Sequence, residues 1–349
     1  MSEPQDLQER HAFVASAGLG SGMSVLDLGW EGECLNSIAE TGALSTFVTE
    51  DIRDFENVGQ ADWVQPVLET MPAQAISGVG TVLYKPAQRA AKGQVEEWID
   101  QGFVALEVGG RFYLAGRRDR GVMSYAKHAA SVYGNCKRIG KVGRSLIFCA
   151  QKFKEQPDAE PKFAFEDFEI SDIAGSTIHV RARPGVFSRD GLDPGTRLLI
   201  EHLDVDCQDK VLDWGCGWGA LGMVCARAAA KGHCLLIDSN IRAISCAQNN
   251  IERNKLANAT AVVGDARLFP FEGPFDLVVS NPPFHEGNRA AHPLVERAFE
   301  NLKPDGRLML VVMRSGPYLK HMEKVFGHAE VVAERDGYAV LATRRGTSH

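Results

Sequence analysis

Several things are scarce in this sequence. No apolar run of about 18 residues occurs along its 349 positions, so no membrane span is expected. The opening stretch, MSEPQDLQERHAF, has neither an apolar signal core nor the Arg-rich character of a transit peptide, and a cytoplasmic location is expected. The eight cysteines form no C-x-x-C pair and no His/Cys cluster at zinc spacing. That argues against a disulfide framework and against a metal site, and for buried, reduced thiols. Basic residues are almost missing at the start: residues 1–84 hold Arg10 and Arg53 against 13 acidic side chains. Residues 85–154 reverse the balance with 14 basic and 5 acidic side chains, 14 − 5 = +9. A local excess of this size inside an acidic chain of net charge −7 can mark a footprint for a polyanion.

What is present suffices for a core. Hydrophobic residues make up 44% and charged residues 24%, and the length fits two domains. An internal repeat organises them. SVLDLGWEGECL, from Ser24, matches KVLDWGCGWGAL, from Lys210, at an offset of 210 − 24 = 186. YKPA from Tyr84 falls opposite the stretch that holds Asn281, and FVALEVGGRFYL from Phe103 opposite FENLKPDGRLML from Phe299, where 299 − 103 = 196. Two tandem copies of one unit follow, divided near 155/156. In each, short apolar strands alternate with amphipathic or Ala-rich helical stretches, which predicts an α/β fold with doubly wound, mostly parallel, Rossmann-like sheets.

The second copy carries the chemistry. DWGCGWGALG, Asp213–Gly222, follows a strand and opens a helix. Gly215, Gly217 and Gly219 permit a tight turn and a close approach of backbone to a ligand, and the helix N-terminus offers unpaired N–H groups. Asp238 ends the next strand, where an acid commonly takes ribose hydroxyls. Asp265 and Ala266 end the one after and suit an adenine ring; either acid alone has a helix cap as its alternative reading. SNPPFHEGN, Ser280–Asn288, then closes an apolar strand with a rigid turn. An exocyclic amine on a conjugated ring is a poor nucleophile because its lone pair is delocalised. The Asn281 side-chain carbonyl and the Pro282 backbone carbonyl can accept its two N–H bonds and aim the lone pair. Pro282 and Pro283 hold those acceptors in advance, and Phe284 offers a face for a planar base. Positioning of this kind needs no metal.

The spacing D-x-G-x-G-x-G followed by N-P-P-F resembles the class I methyltransferases that use S-adenosylmethionine (SAM). RPGVFSRDGLDPGTRLL from Arg183, SNPPFHEG and the tandem architecture together look like the bacterial ribosomal RNA guanine-N2 methyltransferases, of the small-subunit methyltransferase C and large-subunit methyltransferase G kind. That resemblance implies SAM bound by the second copy, with Phe187 and Ser188 of the Gly185–Ser188 stretch over the cofactor. It also implies a ribosomal RNA partner, and a first copy kept for folding or RNA recognition. The first copy has Glu31 and Glu33 where the second has Gly217 and Gly219, and Lys85 where the second has Asn281. A lysine donates hydrogen bonds and cannot accept them, so that copy is expected to be inactive. Lys85, Arg89, Arg117 and Arg118 are candidate RNA contacts. Competing readings are methylation of a protein glutamine amide or a small molecule, and a non-catalytic RNA-binding assembly factor.

Overall fold

The structure, a computed structural model, describes residues 5–29, 32, 34–58, 61–87, 90–159, 165–282 and 288–346, with backbone alone at 5–6 and 288–291. The chain divides into two compact units, residues 1–164 and 165–349. The division falls later than 155/156 because the segment beyond residue 155 still leans on the first unit: Asp158 donates its N–H to the Val132 carbonyl at 2.8 Å.

Strands of the first unit are β1 (Ser24–Asp27), β2 (Leu44–Thr49), β3 (Val64–Leu68), β4 (Val79–Tyr84), β5 (Leu106–Arg117), β6 (Lys137–Val142) and β7 (Ser145–Gln151). The second unit opens with a hairpin, β8 (Glu166–Ser171) and β9 (Thr177–Ala182). It continues with β10 (Lys210–Trp214), β11 (His233–Asp238), β12 (Ala259–Val263), β13 (Phe275–Ser280), β14 (Leu302–Val312), β15 (Glu330–Arg335) and β16 (Tyr338–Arg344). The two seven-stranded sheets have one topology: β3-β2-β1-β4-β5-β7-β6 and β12-β11-β10-β13-β14-β16-β15. Within the second sheet β12 to β14 pair in parallel, and β16 and β15 run antiparallel at the edge.

The duplication is therefore structural. β4 and β13 begin 275 − 79 = 196 residues apart, and β7 and β16 begin 338 − 145 = 193 apart. The early part of the first copy is the shortened one. Its helix after β1, Leu35–Ala39, has five residues where Ala220–Ala228 has nine. Its helix after β2, Ile52–Val58, has seven where Ile241–Arg253 has thirteen.

Strands buried on both faces need apolar side chains at successive positions. In the second sheet the alternation splits them cleanly. Val211, Leu277, Val279, Met309 and Val311 pack against the helices Pro194–Glu201, Ala220–Ala228 and Ile241–Arg253. Leu212, Val278, Leu308, Leu310 and Val312 face the other way, with Leu294, Val295 and Met322 of the helices Asn288–Asn301 and Ser315–Phe326.

The β8–β9 hairpin was not legible in the sequence. It is stitched to the helix Ile241–Arg253 by two asparagines one turn apart. Asn250 and Asn254 accept the N–H groups of Arg181 and His179 at 2.8 and 2.9 Å and donate to the same residues' carbonyls at 3.1 and 2.7 Å. Their amides replace the partner strand that β9 lacks on that side. Asn250 also donates to the Trp218 carbonyl at 3.1 Å, which ties the hairpin to the glycine turn.

Candidate active site

The sequence candidates converge at the carboxyl ends of β12, β11, β10 and β13, where open α/β sheets place their ligands. The register puts Asp213 beside Leu236 and Val279, and Asp238 beside Val263. The Ser280 hydroxyl donates to the Trp214 carbonyl at 2.7 Å, joining the ends of β13 and β10 just before Asn281.

The turn after β10 is built as its glycines require. Gly215, Gly217 and Gly219 have φ of 73°, 55° and 99°, a region costly for other residues. A side chain added at Gly215 or Gly217 would meet no atom within 4 Å, so the backbone there borders open space. Gly222, in the first helical turn, is needed for a different reason. A Cβ there would lie 2.3 Å from Leu236 Cγ, and glycine lets the helix approach β11. Trp214 and Trp218 do not crowd the turn. Trp214 packs toward Phe271, with ring centroids 6.5 Å apart. Trp218 is buried edge-on against Phe168, and its indole donates to the Ser188 carbonyl at 3.2 Å.

Asp213 is buried. One carboxylate oxygen accepts the Gly222 N–H at 2.7 Å, bracing the helix start across the turn, while Oδ1 has no partner among the described residues. Burial pushes its pKa up to about 7; the Gly222 N–H opposes this and the charge of Asp238 adds to it. Asp238 accepts N–H bonds from Gly217 at 3.0 Å and Asn240 at 2.9 Å, which fixes its carboxylate beside the turn. Asp265 lies at the end of β12, but its carboxylate is engaged by Arg267, whose Nε lies 2.9 and 3.0 Å from its two oxygens. A contact from Asp265 to adenine therefore competes with Arg267 for the same carboxylate. Ala266 is buried beside Leu212 and Ile237. Burial pushes the Cys216 thiol well up, consistent with a packing role.

The Pro184–Ser188 segment is anchored from beneath. Phe187 is exposed, and Ser188 has a left-handed φ of 56°. The Ser188 hydroxyl donates to the Gly191 carbonyl at 2.8 Å. Arg242, wholly buried, donates to the Pro184 carbonyl at 3.3 Å. Nothing local in the sequence distinguishes this arginine from the exposed ones.

Asn281 follows β13, and Pro282 is buried next to it. The Asn281 amide nitrogen donates to Asp193 Oδ2 at 3.0 Å and to Thr196 Oγ1 at 2.7 Å. Its carbonyl oxygen is buried and has no partner among the described residues. Asp193 caps the helix Pro194–Glu201 by accepting the Thr196 N–H. The sequence reading missed Asp193 and Thr196, although Asp-Pro-Gly-Thr is a readable helix start. Pro283, Phe284 and Arg89 lie outside the described residues. Lys85 is half-buried at the end of β4, in the place Asn281 holds after β13. Arg117 pairs with Asp119, which holds that carboxyl below the usual range, and Arg118 is exposed.

The residues fit SAM: a glycine turn open on its ligand side, an oriented acid beyond it, and an unmet buried acceptor where an amine would enter. With the order of the sheet they sit in, these features define a class I SAM-dependent methyltransferase. Residues 177–342 match the family model described as "Methyltransferase small domain". Ribosomal RNA small subunit methyltransferase C of Stutzerimonas stutzeri is 30% identical over 270 residues, covering 76% of this chain and 79% of that protein. The protein of that name from Citrobacter koseri is 31% identical over 245 residues, 68% of each. A T. thermophilus 16S rRNA N2 methyltransferase, solved with AdoMet and guanosine, superposes with a TM-score of 0.84 at 26% identity over 96% of this chain and 91% of that one. The chain belongs to the ribosomal RNA small subunit methyltransferase C family.

Proposed function

We propose that the second unit methylates the exocyclic 2-amino group of a guanine in small-subunit ribosomal RNA. The observation that carries this reading is the Asn281 carbonyl oxygen, buried without a partner among the described residues while its amide nitrogen is doubly bonded. A buried acceptor left unmet is costly, and an incoming amine relieves it. Asn281 and the Pro282 carbonyl take the two N–H groups, so the nitrogen lone pair points out of the base plane. SAM supplies the electrophilic methyl group on its sulfonium. With SAM bound, the S–C bond would break as the N–C bond forms, its electron pair would stay with sulfur, and the methylated amine would give up a proton to solvent. The protein's part is to aim the amine and to face the charge growing on nitrogen with fixed dipoles.

Asp238 orients the ribose and the Gly215–Gly219 turn cradles the methionine end. The base must leave its stack to arrive there. For RNA contact the first unit offers a basic stretch: between Arg111 and Lys154 the sequence has eleven basic residues and one acid, Asp119. Lys137, Arg138 and Lys141 are exposed on the edge strand β6, and Arg118, Arg120 and Arg144 are exposed too. Lys85 is a further candidate. The first unit itself has Thr49 at the end of β2 where the second has Asp238, and we read it as a copy that does not bind SAM. Ribosomal RNA as substrate implies action in the cytoplasm; among the described residues no helix is long and apolar enough to cross a membrane.

The test is transfer of label from SAM to rRNA lacking its native modifications, with nucleoside analysis. Label is expected as 2-methylguanosine and is expected to drop at least about 100-fold in Asn281→Ala, the scale of removing one preorganised hydrogen-bond partner. Label in another nucleoside, or an unimpaired variant, overturns the reading.

A further inference from the structure

The side-chain amide of Asn281 could present either its oxygen or its nitrogen to the base, and only the oxygen can receive an amine. We infer that Asp193 and Thr196 are positioning residues for methyl transfer, holding the amide with its oxygen toward the substrate. This rests on the reading that Asn281 accepts the guanine amine.

The orientation follows from the donors and acceptors. Asp193 Oδ2 accepts from the Thr196 N–H at 2.8 Å, the Thr196 hydroxyl at 3.3 Å and Asn281 Nδ2 at 3.0 Å. A carboxylate can only accept. The Thr196 hydroxyl proton is committed to Asp193, so Thr196 Oγ1 is an acceptor toward Asn281 at 2.7 Å. Both neighbours of the amide therefore demand its NH2 group, and the oxygen is left facing away from them. A flipped amide would set oxygen against carboxylate and present a donor to a donor.

The carboxylate is itself fixed. Asp193 is the N-cap of the helix Pro194–Glu201 and is 9% exposed. The Tyr338 hydroxyl reaches its other oxygen, Oδ1, at 3.5 Å. The Tyr338 ring lies where a side chain on Gly195 would stand, 2.5 Å from a built Cβ, so only glycine at that position lets the ring close over the cap. A negative charge behind the NH2 group also polarises the amide toward its oxygen. That strengthens the acceptor as positive charge develops on the substrate nitrogen.

The experiment uses the full chain. Asp193→Ser keeps a good cap but puts a shorter, neutral hydroxyl in place of the carboxylate that receives Asn281. Turnover of Asp193→Ser is expected to fall about 10- to 100-fold, the scale of a small misplacement, with SAM affinity and unfolding midpoint near wild type. Asp193→Asn, whose amide oxygen can stand in the Oδ2 place and take the same three bonds, removes the charge alone and is expected to lose less. Thr196→Val is expected to lose about 10-fold, and Thr196→Ser, which keeps the hydroxyl, to recover most of that. Full turnover in both Asp193→Ser and Thr196→Val overturns the inference. Full activity in Asn281→Ala overturns instead the reading on which it rests.

Discussion

Two carboxylates show how position decides what the same side chain does. Asp213 is buried, and its pKa is raised from 3.8 to about 7. Between these values the folded protein keeps a proton that the unfolded chain has released, so stability falls as pH rises through that window, and the loss is complete above it. Asp213→Asn keeps an acceptor for the Gly222 N–H and cannot ionise. Comparing urea unfolding of the SAM-free proteins at pH 5 and pH 8, the wild type is expected to lose about 2 kcal/mol relative to the variant. Parallel curves would show that Asp213 stays charged throughout. Asp265 is held instead by Arg267, whose side chain is 44% exposed. Such a pair is worth ~0.2–1 kcal/mol, so Arg267→Gln is expected to bind SAM about 2- to 5-fold more tightly by calorimetry. Weaker binding would make Arg267 a cofactor contact rather than a competitor. The sequence marked both acids by their place at strand ends. It could not show that one was already paired, because Arg267, two residues on, is equally at home in solvent.

At the level of elements, the glycines after β10 divide their labour. Gly217 needs its left-handed backbone and borders open space, whereas Gly222 leaves room for Leu236. Gly222→Ala is expected to damage folding, with a clear drop in melting temperature, because the Leu236 side chain stands where the methyl group would go. Gly217→Ala strains a positive φ by ~1–2 kcal/mol and intrudes on the ligand side of the turn, so it is expected to lose SAM affinity by more than it loses stability. Equal losses of both in the two variants would contradict this division. The glycine spacing was legible in sequence, and so were strands such as His233–Asp238, because dihedral needs and periodicity act over a few residues. The β8–β9 hairpin was not, because its outer edge is satisfied by Asn250 and Asn254 from a helix about 70 residues downstream, 69 and 75 positions away in the two bonds.

Across the whole molecule, duplication and charge are divided between two units with separate cores. The first has kept the sheet order and lost length in the two helices that follow β1 and β2. Even its surviving acid behaves differently: Asp27 bonds the Gly29 N–H two residues on, at 2.9 Å, where Asp213 reaches Gly222. Its basic stretch is where phosphate binding is expected. Replacing Lys137, Arg138, Lys141 and Arg144 by serine is expected to weaken RNA binding and to flatten its salt dependence, by about 0.7 for each phosphate of single-stranded RNA that is no longer neutralised. SAM affinity is expected to stay unchanged. An unaltered salt slope would move the RNA footprint elsewhere. The sequence by itself determined the repeat, the alternating α/β order, the glycine turn, the acids at strand ends and the asparagine-proline step, since each is written in neighbouring residues. Only the tertiary structure decided that Asn281 meets Asp193 and Thr196, 88 and 85 positions earlier, and that Tyr338 closes over Asp193 across 145. Those encounters depend on how a helix start, the end of one strand and the start of another pack around one sheet, and no periodicity along the chain records that.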